Sequence, residues 1–313
     1  MTAYILRRIA STIPVMLIVA FILFGMLNVV GGDPALVLAG DNATTDAVAR
    51  IRTTMGLDQP FLVRFATWLL AIARGDLGQS LFSGHAVLEL IQQRLEPTLA
   101  LAICTLVLSV LIAVPLGIVA AWRVGGVIDN FVMSLAVIGF SVPVFALSYL
   151  GIYIFSLQLR WLPVQGYVSY SVDFGRFLAH IVLPSFALSI SYVGLIARVT
   201  RACVLEVIGQ DFIRTAKAKG ATPFRVLGKH VLKNAAPPIV TVVGMGFAML
   251  IGGVVVTETV FGISGLGRLA VDAVFRRDYP VVQGVVLLLS LTYVLVNLLV
   301  DLSYVLFDPR IKY

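Results

Sequence analysis

Apolar residues along the chain fall into six long runs separated by polar segments. They cover approximately residues 9–30, 98–122, 131–157, 178–198, 236–258 and 280–304. A bilayer core is crossed by about 20 helical residues, and each run is long enough. Each predicts an α-helix, because in hydrocarbon the backbone N–H and C=O groups must be satisfied within the segment. The period-two alternation of a membrane barrel is absent. The first run follows Arg7 and Arg8 and exceeds the ~7–15 residues of a signal-peptide core, so it is expected to be a retained span. Pro14, Pro115, Pro143 and Pro184 lie inside runs and are expected as kinks within continuous spans.

The polar segments set an expected topology. Arg7 and Arg8 precede the first run, and Arg310 and Lys312 follow the last. Between the fourth and fifth lie Arg198, Arg201, Arg214, Lys217, Lys219, Arg225, Lys229 and Lys233. With six spans these regions share one side, which the positive-inside rule makes cytoplasmic. The first loop, residues 33–97, then lies outside, and its acids outnumber its basic residues. Arg268, Arg276 and Arg277 in the last outer loop depart from the rule, offset in charge by Asp272 and Asp278.

That first loop is too long to be structureless. Thr44-Thr45-Asp46 predicts a helix start. Phe61, Phe65, Trp68, Leu69 and Ile72 recur at helical spacing and predict one apolar face, expected to rest on the outer membrane surface or the mouth of the bundle. Gly75-Asp76-Leu77-Gly78 predicts a turn, and a helical pattern resumes from Val87 to Leu95. The expected organisation is a first helix with a structured periplasmic cap over residues 1–96, a transmembrane domain over 97–305, and a tail over 306–313.

Composition agrees with a membrane protein. The 313 residues are 59% hydrophobic and only 12% charged. Soluble domains carry about 25% charged residues, so this chain has too little polar surface for water. The net charge of +7 reads as topology determinants and not as a nucleic-acid surface. Cys104 and Cys203 are far apart and suit packing, and the three histidines are isolated, so no metal cluster is expected.

The most informative polar stretch is Val204 to Pro238. It is too polar to span and too patterned to be a linker. Leu205, Ile208, Phe212 and Ala216 share one helical face. Gly220 suits a left-handed helix end, and Thr222-Pro223 suits the cap and first turn of a second helix. From charge alone this is equally a docking helix for a cytoplasmic partner or a basic anchor on anionic lipid. The Gly-Ala-Thr-Pro corner favours docking, because an anchor needs no defined corner.

This segment resembles the cytoplasmic "EAA" loop of ABC importer permeases. Gly220 matches that loop's fixed glycine and Ala216 its second alanine. Arg214 and Thr215 replace its glutamate and first alanine, and Lys233 stands where a proline is expected. The whole stretch from Asp211 to Pro238 resembles the dipeptide/oligopeptide/nickel branch, where the Arg-Thr-Ala variant is usual. "GGDPA", "MGLDQP", "GDLGQS", "ETVFGISGLGRL", "RRDYPVVQG" and "VNLLVDLSYVLFDPRIKY" resemble that branch in order along nearly the whole chain. Ile263-Ser264-Gly265 departs from its usual Trp-Pro-Gly run.

The resemblance implies an all-α, six-span type I importer permease in the bacterial inner membrane, with both termini cytoplasmic. It implies a coupling segment at 204–235 whose contact with the ATPase uses Glu206, Asp211, Arg214, Thr215, Ala216, Lys217, Ala218, Lys219, Gly220, Ala221, Thr222 and Pro223. The implied partners are a second homologous permease, two ATP-binding subunits and an external solute-binding protein. ATP and Mg would sit on the ATPase subunits and no cofactor on this chain. Di- or oligopeptides are the cargo that the branch implies, with nickel chelates, glutathione or opine-like solutes as alternatives.

The residues agree on what is missing. No G-x-x-x-x-G-K-[ST] phosphate loop occurs. The glycines at 262, 265 and 267 read as a turn entering a short re-entrant or surface helix. No nucleophile–base set is visible, and Ser185, Ser189 and Ser191 suit helix packing. Candidate pathway or gate residues are Ser141, Pro143, Gly244, Gly252, Glu258 and Phe261; the small ones permit close helix approach and sliding, or only pack. Glu258 and Asp301 lie near span ends and form no midplane chain of acids, which argues against a secondary carrier.

Overall fold

A computed structural model describes residues 2–30, 35, 39, 44–54 and 56–307. The motif at 31–34, Asp33, Asp41, Met55, Arg310 and Lys312 lie outside the described residues. No strand occurs among the described residues; one isolated antiparallel bridge joins Gln79 and Ala86. The helices are α1 (Thr2–Val30), α2 (Thr45–Thr54), α3 (Phe61–Ala73), α4 (Val87–Trp122), α5 (Val127–Ser141) and α6 (Val144–Gly151). There follow α7 (Phe174–Ile208), α8 (Asp211–Ala218), α9 (Pro223–Arg225), α10 (Lys233–Val260), α11 (Leu266–Arg276) and α12 (Tyr279–Phe307). π-helical turns at Ile152–Gln158 and Val226–Leu232 extend α6 and join α9 to α10.

Among the described residues three helices are long and apolar enough to cross a membrane: Val87–Trp122, Phe174–Ile208 and Tyr279–Leu302. Two bent helix pairs raise the number to five if each counts as one span. The run at 131–157, expected as one kinked span, is such a pair: α5 and α6 meet at 100° across Val142-Pro143. Val142 is extended (φ −83°, ψ 126°), because a residue before proline is pushed out of the helical region. Conversely, the separate helices expected at 87–95 and 98–122 are one 36-residue helix running through Pro97 and Pro115.

The chain folds into two units, each with its own apolar packing. The larger holds Pro97–Ile263 and the chain from Leu295 onward. Its centre is α7, against which α5, α6 and α10 pack. Glycines sit where backbones meet. A Cβ on Gly194 would lie 2.4 Å from Ala136 O, and one on Gly139 would lie 2.9 Å from Ile190 Cγ2. On α4, a Cβ on Gly117 would lie 2.6 Å from Ala197 O. Lipid tails supply no hydrophobic drive between helices, so close van der Waals contact of this kind holds a bundle together. Around it Leu101, Ile181, Leu188, Leu250 and Phe261 form a buried cluster.

The second unit holds Thr2–Glu96 and Ser264–Val294. Thr44 Oγ1 accepts from Ala47 N at 3.4 Å and starts α2 where expected. The apolar face of α3 meets α1: Phe21 lies edge-on to Phe65 at 5.3 Å, and Phe24 lies 5.1 Å from Trp68. The expected turn at 75–78 is present, with Asp76 Oδ1 accepting from Gly78 N. The glycine-rich stretch enters α11, whose Leu266, Leu269 and Ala273 are buried with Val87, Ile91 and Val285. Asp278, expected only to offset loop arginines, is buried and accepts from Ser80 Oγ (2.5 Å) and Leu81 N (3.0 Å).

The close α5–α7 approach yields a stability prediction. Gly194→Val must displace a backbone carbonyl, at a cost of about 1–3 kcal/mol. Gly252→Ala meets nothing within 4 Å and serves as the control. Thermal unfolding in detergent should drop for the former and not the latter; equal melting would contradict the close contact.

Candidate functional site

The polar stretch after α7 is a helical corner with one anchored side and one open side. Gly209 closes α7, its N–H bonded to Leu205 O, and extended Gln210 (φ −73°, ψ 148°) redirects the chain into α8. This break resets the helical register. Of the face expected from Leu205, Ile208, Phe212 and Ala216, all but Phe212 pack on one apolar cluster, and Ile213 takes the place of Phe212. Ile213 is buried and Phe212 is 44% exposed. Glu206 belongs to the last turns of α7 and not to α8.

Helix α8 begins with Asp211 and ends with Lys217 in its last turn, signs that suit the helix dipole. Asp211 and Arg214 approach at 3.4 Å, but both are exposed and such a pair contributes little. The C-terminus is a complete Schellman ending: Gly220, at φ +81°, donates to Lys217 O (2.9 Å), and Ala221 N donates to Ala216 O (3.1 Å). Pro223 occupies the first turn of α9, as expected. Thr222 precedes it with an extended backbone, but its hydroxyl makes no capping bond.

The anchored side is a single apolar cluster. Ile213 packs with Val204 of α7, Ala121 of α4, Val226 and Val231 of the π turn, and Ala235 and Ile239 of α10. The open side carries Asp211, Arg214, Thr215, Lys217, Ala218, Lys219, Gly220, Thr222 and Pro223, all exposed; Ala216 and Ala221 are half-buried. This is a firmly held knob with a polar, mostly basic tip, and it bears no catalytic constellation. Among the described residues no three metal-ligating side chains cluster.

The six pathway candidates fall into two stretches, Ser141 and Pro143 at the bend between α5 and α6, and Gly244, Gly252, Glu258 and Phe261 along α10 and just past its end. Ser141 is exposed and bonds its own helix at Val137 O, and Pro143 starts α6 at the bend. A Cβ on Gly244 would lie 2.0 Å from Val300 Cγ2, whereas Gly252 faces open space. Glu258 and Phe261 do come together at the end of α10, both buried. Glu258 accepts from Thr98 Oγ1 (2.5 Å), while Phe261 O accepts from Gly166 N (2.9 Å). They fasten that end of the bundle.

One functional-looking pair escapes sequence reasoning. Asp129, at the start of α5, is buried and takes Arg201 Nε and Nη2 at 2.5 and 2.6 Å, with Gly125 N at 2.9 Å. The sequence marks Arg201 only as a topology charge. The two are 72 residues apart, and no local pattern pairs them.

Residues 113–313 match the family model of the "binding-protein-dependent transport system inner membrane component", and residues 1–102 match that of its N-terminal part. The chain belongs to this family. It is a permease subunit of an ABC importer, a non-catalytic transport component integral to the bacterial inner membrane. Nucleotide and Mg belong to partner ATPases. A probable peptide ABC transporter permease of Sinorhizobium fredii is 51% identical over 313 residues, covering all of both chains. A putative peptide transport system permease of Brucella abortus is 43% identical over the same full length. A glutathione transport system permease of Salmonella paratyphi A is 42% identical over 314 residues, again covering both chains fully. In fold the permease is similar to a methionine ABC transporter solved in inward-facing form. The TM-score is 0.58 at 22% identity, over 71% of this chain and 97% of that one.

The Asp129–Arg201 clamp yields a prediction for the permease. Arg201 is still a quarter exposed, so losing one partner should cost about 2–3 kcal/mol, below the full penalty of a buried pair. A double-mutant cycle of Asp129→Ala and Arg201→Ala, read by unfolding in detergent, should show strong coupling. Additive losses would mean that the pair is not a unit.

Proposed function

We propose that the permease crosses the membrane six times with both termini cytoplasmic, and that its α8 corner docks into an ATP-binding subunit. In the assembly we infer, this chain pairs with a second homologous permease, two ATP-binding subunits and an external solute-binding protein that docks on the loops after α1. The observation that carries the docking reading is the form of the corner. Buried Ile213 holds it, the Gly220 ending shapes it, and every charged side chain of α8 is exposed to solvent. A force on α8 passes through the Ile213 cluster into the π turn, and from there directly into α10, since the helical segments are contiguous from Pro223 to Val260. Alternating access then needs a two-state bundle that both ATP and the binding protein bias.

Peptides are the proposed cargo, on the strength of full-length relatives named for peptide transport. Glutathione stands as the second reading, because a relative of similar identity is named for it. Glu258 and Phe261 are proposed to latch the outer end of α10 and not to touch cargo. Ser141, which is exposed, and Gly252, which faces open space, are the better lining candidates.

Two measurements test this reading. A β-carbon at Gly220 meets no atom of this chain within 4 Å, so within the chain its cost comes from the left-handed backbone. Gly220→Val should cost about 1–2 kcal/mol of the left-handed ending, about a 5–30-fold smaller equilibrium constant for forming the corner, and lower ATP-driven uptake in proteoliposomes. Gly220→Asn, which tolerates that conformation, should retain uptake. Unchanged uptake with valine would remove the docking assignment. For topology, Asp58→Cys should react with an impermeant thiol reagent in intact spheroplasts; protection until lysis would invert the orientation.

A further inference from the structure

The larger unit contains an apolar cleft of about 390 Å³ beside the docking corner. Ile118, Val119, Trp122 and Arg123 of the α4 end form one wall, and Pro223, Phe224 and Leu227 form the other. Its aromatic residues are not covered by this chain: Phe224 is 88% exposed and Trp122 46%. We propose that this cleft binds one anionic phospholipid, its acyl chain between Trp122 and Phe224 and its phosphate on Arg123.

The position of the cleft supports a lipid. Helix α4 is apolar over a membrane-spanning length and ends at Trp122. A tryptophan followed by arginine at the end of a span marks the boundary of hydrocarbon and headgroups. The cleft therefore opens where an acyl chain and a phosphate meet, with apolar walls and a cation at its mouth.

The charges favour an anionic headgroup. Arg123 is exposed, and among the described residues no carboxylate pairs with it. The acid at the start of α5, Asp129, is already taken by Arg201 and Gly125 N. Arg225 and Lys229 add exposed positive charge on the adjoining turn. Phe224 directly follows Pro223 at the foot of the corner, so an occupied cleft would brace α9 against α4. The inference rests on the corner being the docking element, since only then does bracing it bear on transport.

Quenching of Trp122 by brominated lipid tests the site. The assembled transporter carries Trp68→Phe and Trp161→Phe and is placed in nanodiscs with brominated phosphatidylglycerol or brominated phosphatidylcholine. The Trp122 signal is the difference from the same complex with Trp122→Phe as well, which removes the fluorescence of the partner subunits. Quenching by the anionic lipid should require about fivefold less of it, the preference that one arginine near an anionic surface supplies. Arg123→Gln should remove the preference while leaving quenching at high lipid. Equal quenching by both lipids before and after Arg123→Gln would reduce the site to ordinary boundary lipid. No quenching in a complex that still hydrolyses ATP would mean that a protein partner fills the cleft. Either result overturns the lipid site and leaves the docking reading intact, because that reading is tested by Gly220→Val.

Discussion

The larger unit depends on backbone contact around α7. Its neighbours approach so closely that Gly194, Gly139 and Gly117 have no room for a β-carbon. In water such an arrangement would be a minor refinement of a hydrophobic core. In lipid, where apolar side chains are equally content with acyl tails, it is the main source of specificity. The polar bonds then act at the ends of the helices. Asp129 and Arg201 tie the start of α5 to α7, and Thr98 ties α4 to Glu258 of α10. Asp129, Arg201 and Glu258 thus each have a partner inside the bundle, as the cost of burying an unpaired charge requires.

A tightly packed bundle responds to force as a set of bodies and not as a fluid. This gives the α8 corner its meaning. It is not a separate domain on a tether, because Ile213 joins it to the ends of α4, α7 and α10 through one apolar cluster. A subunit that binds the polar tip of α8 thus acts on several helices at once. The bend at Val142-Pro143 lies in the same bundle, and it replaces a straight crossing with two shorter helices that pack on α7.

Local chemistry is legible in the sequence, and long-range pairing is not. The left-handed Gly220, Pro223 in a first helical turn, the aromatic face of α3 and the turn at Asp76 each follow from residue types within a few positions. Hydropathy shows the run at 131–157 as one crossing, because an average over apolar residues cannot distinguish a kinked helix from a broken one. The face of α8 is obscured for a related reason. Helical periodicity does not carry across Gly209-Gln210, where two residues of extended or turning backbone shift the phase and exchange Phe212 for Ile213. The Asp129–Arg201 clamp and the buried role of Asp278 have no local signature at all, since each depends on residues far away in the chain. Membership of the family, by contrast, is carried by many weak motifs in order, and full-length relatives share it.

The central claim is that the tip of α8 is the contact with the ATP-binding subunit. The most direct measurement is cross-linking in the assembled transporter, with Cys104 and Cys203 replaced by serine and one cysteine introduced at exposed Thr215. A short bismaleimide should join this cysteine to the ATP-binding subunit, and a cysteine at Ser171, exposed in the loop before α7, should not react with it. A cysteine at Thr215 that never reaches the ATP-binding subunit, in a complex that still hydrolyses ATP and transports, would contradict the account.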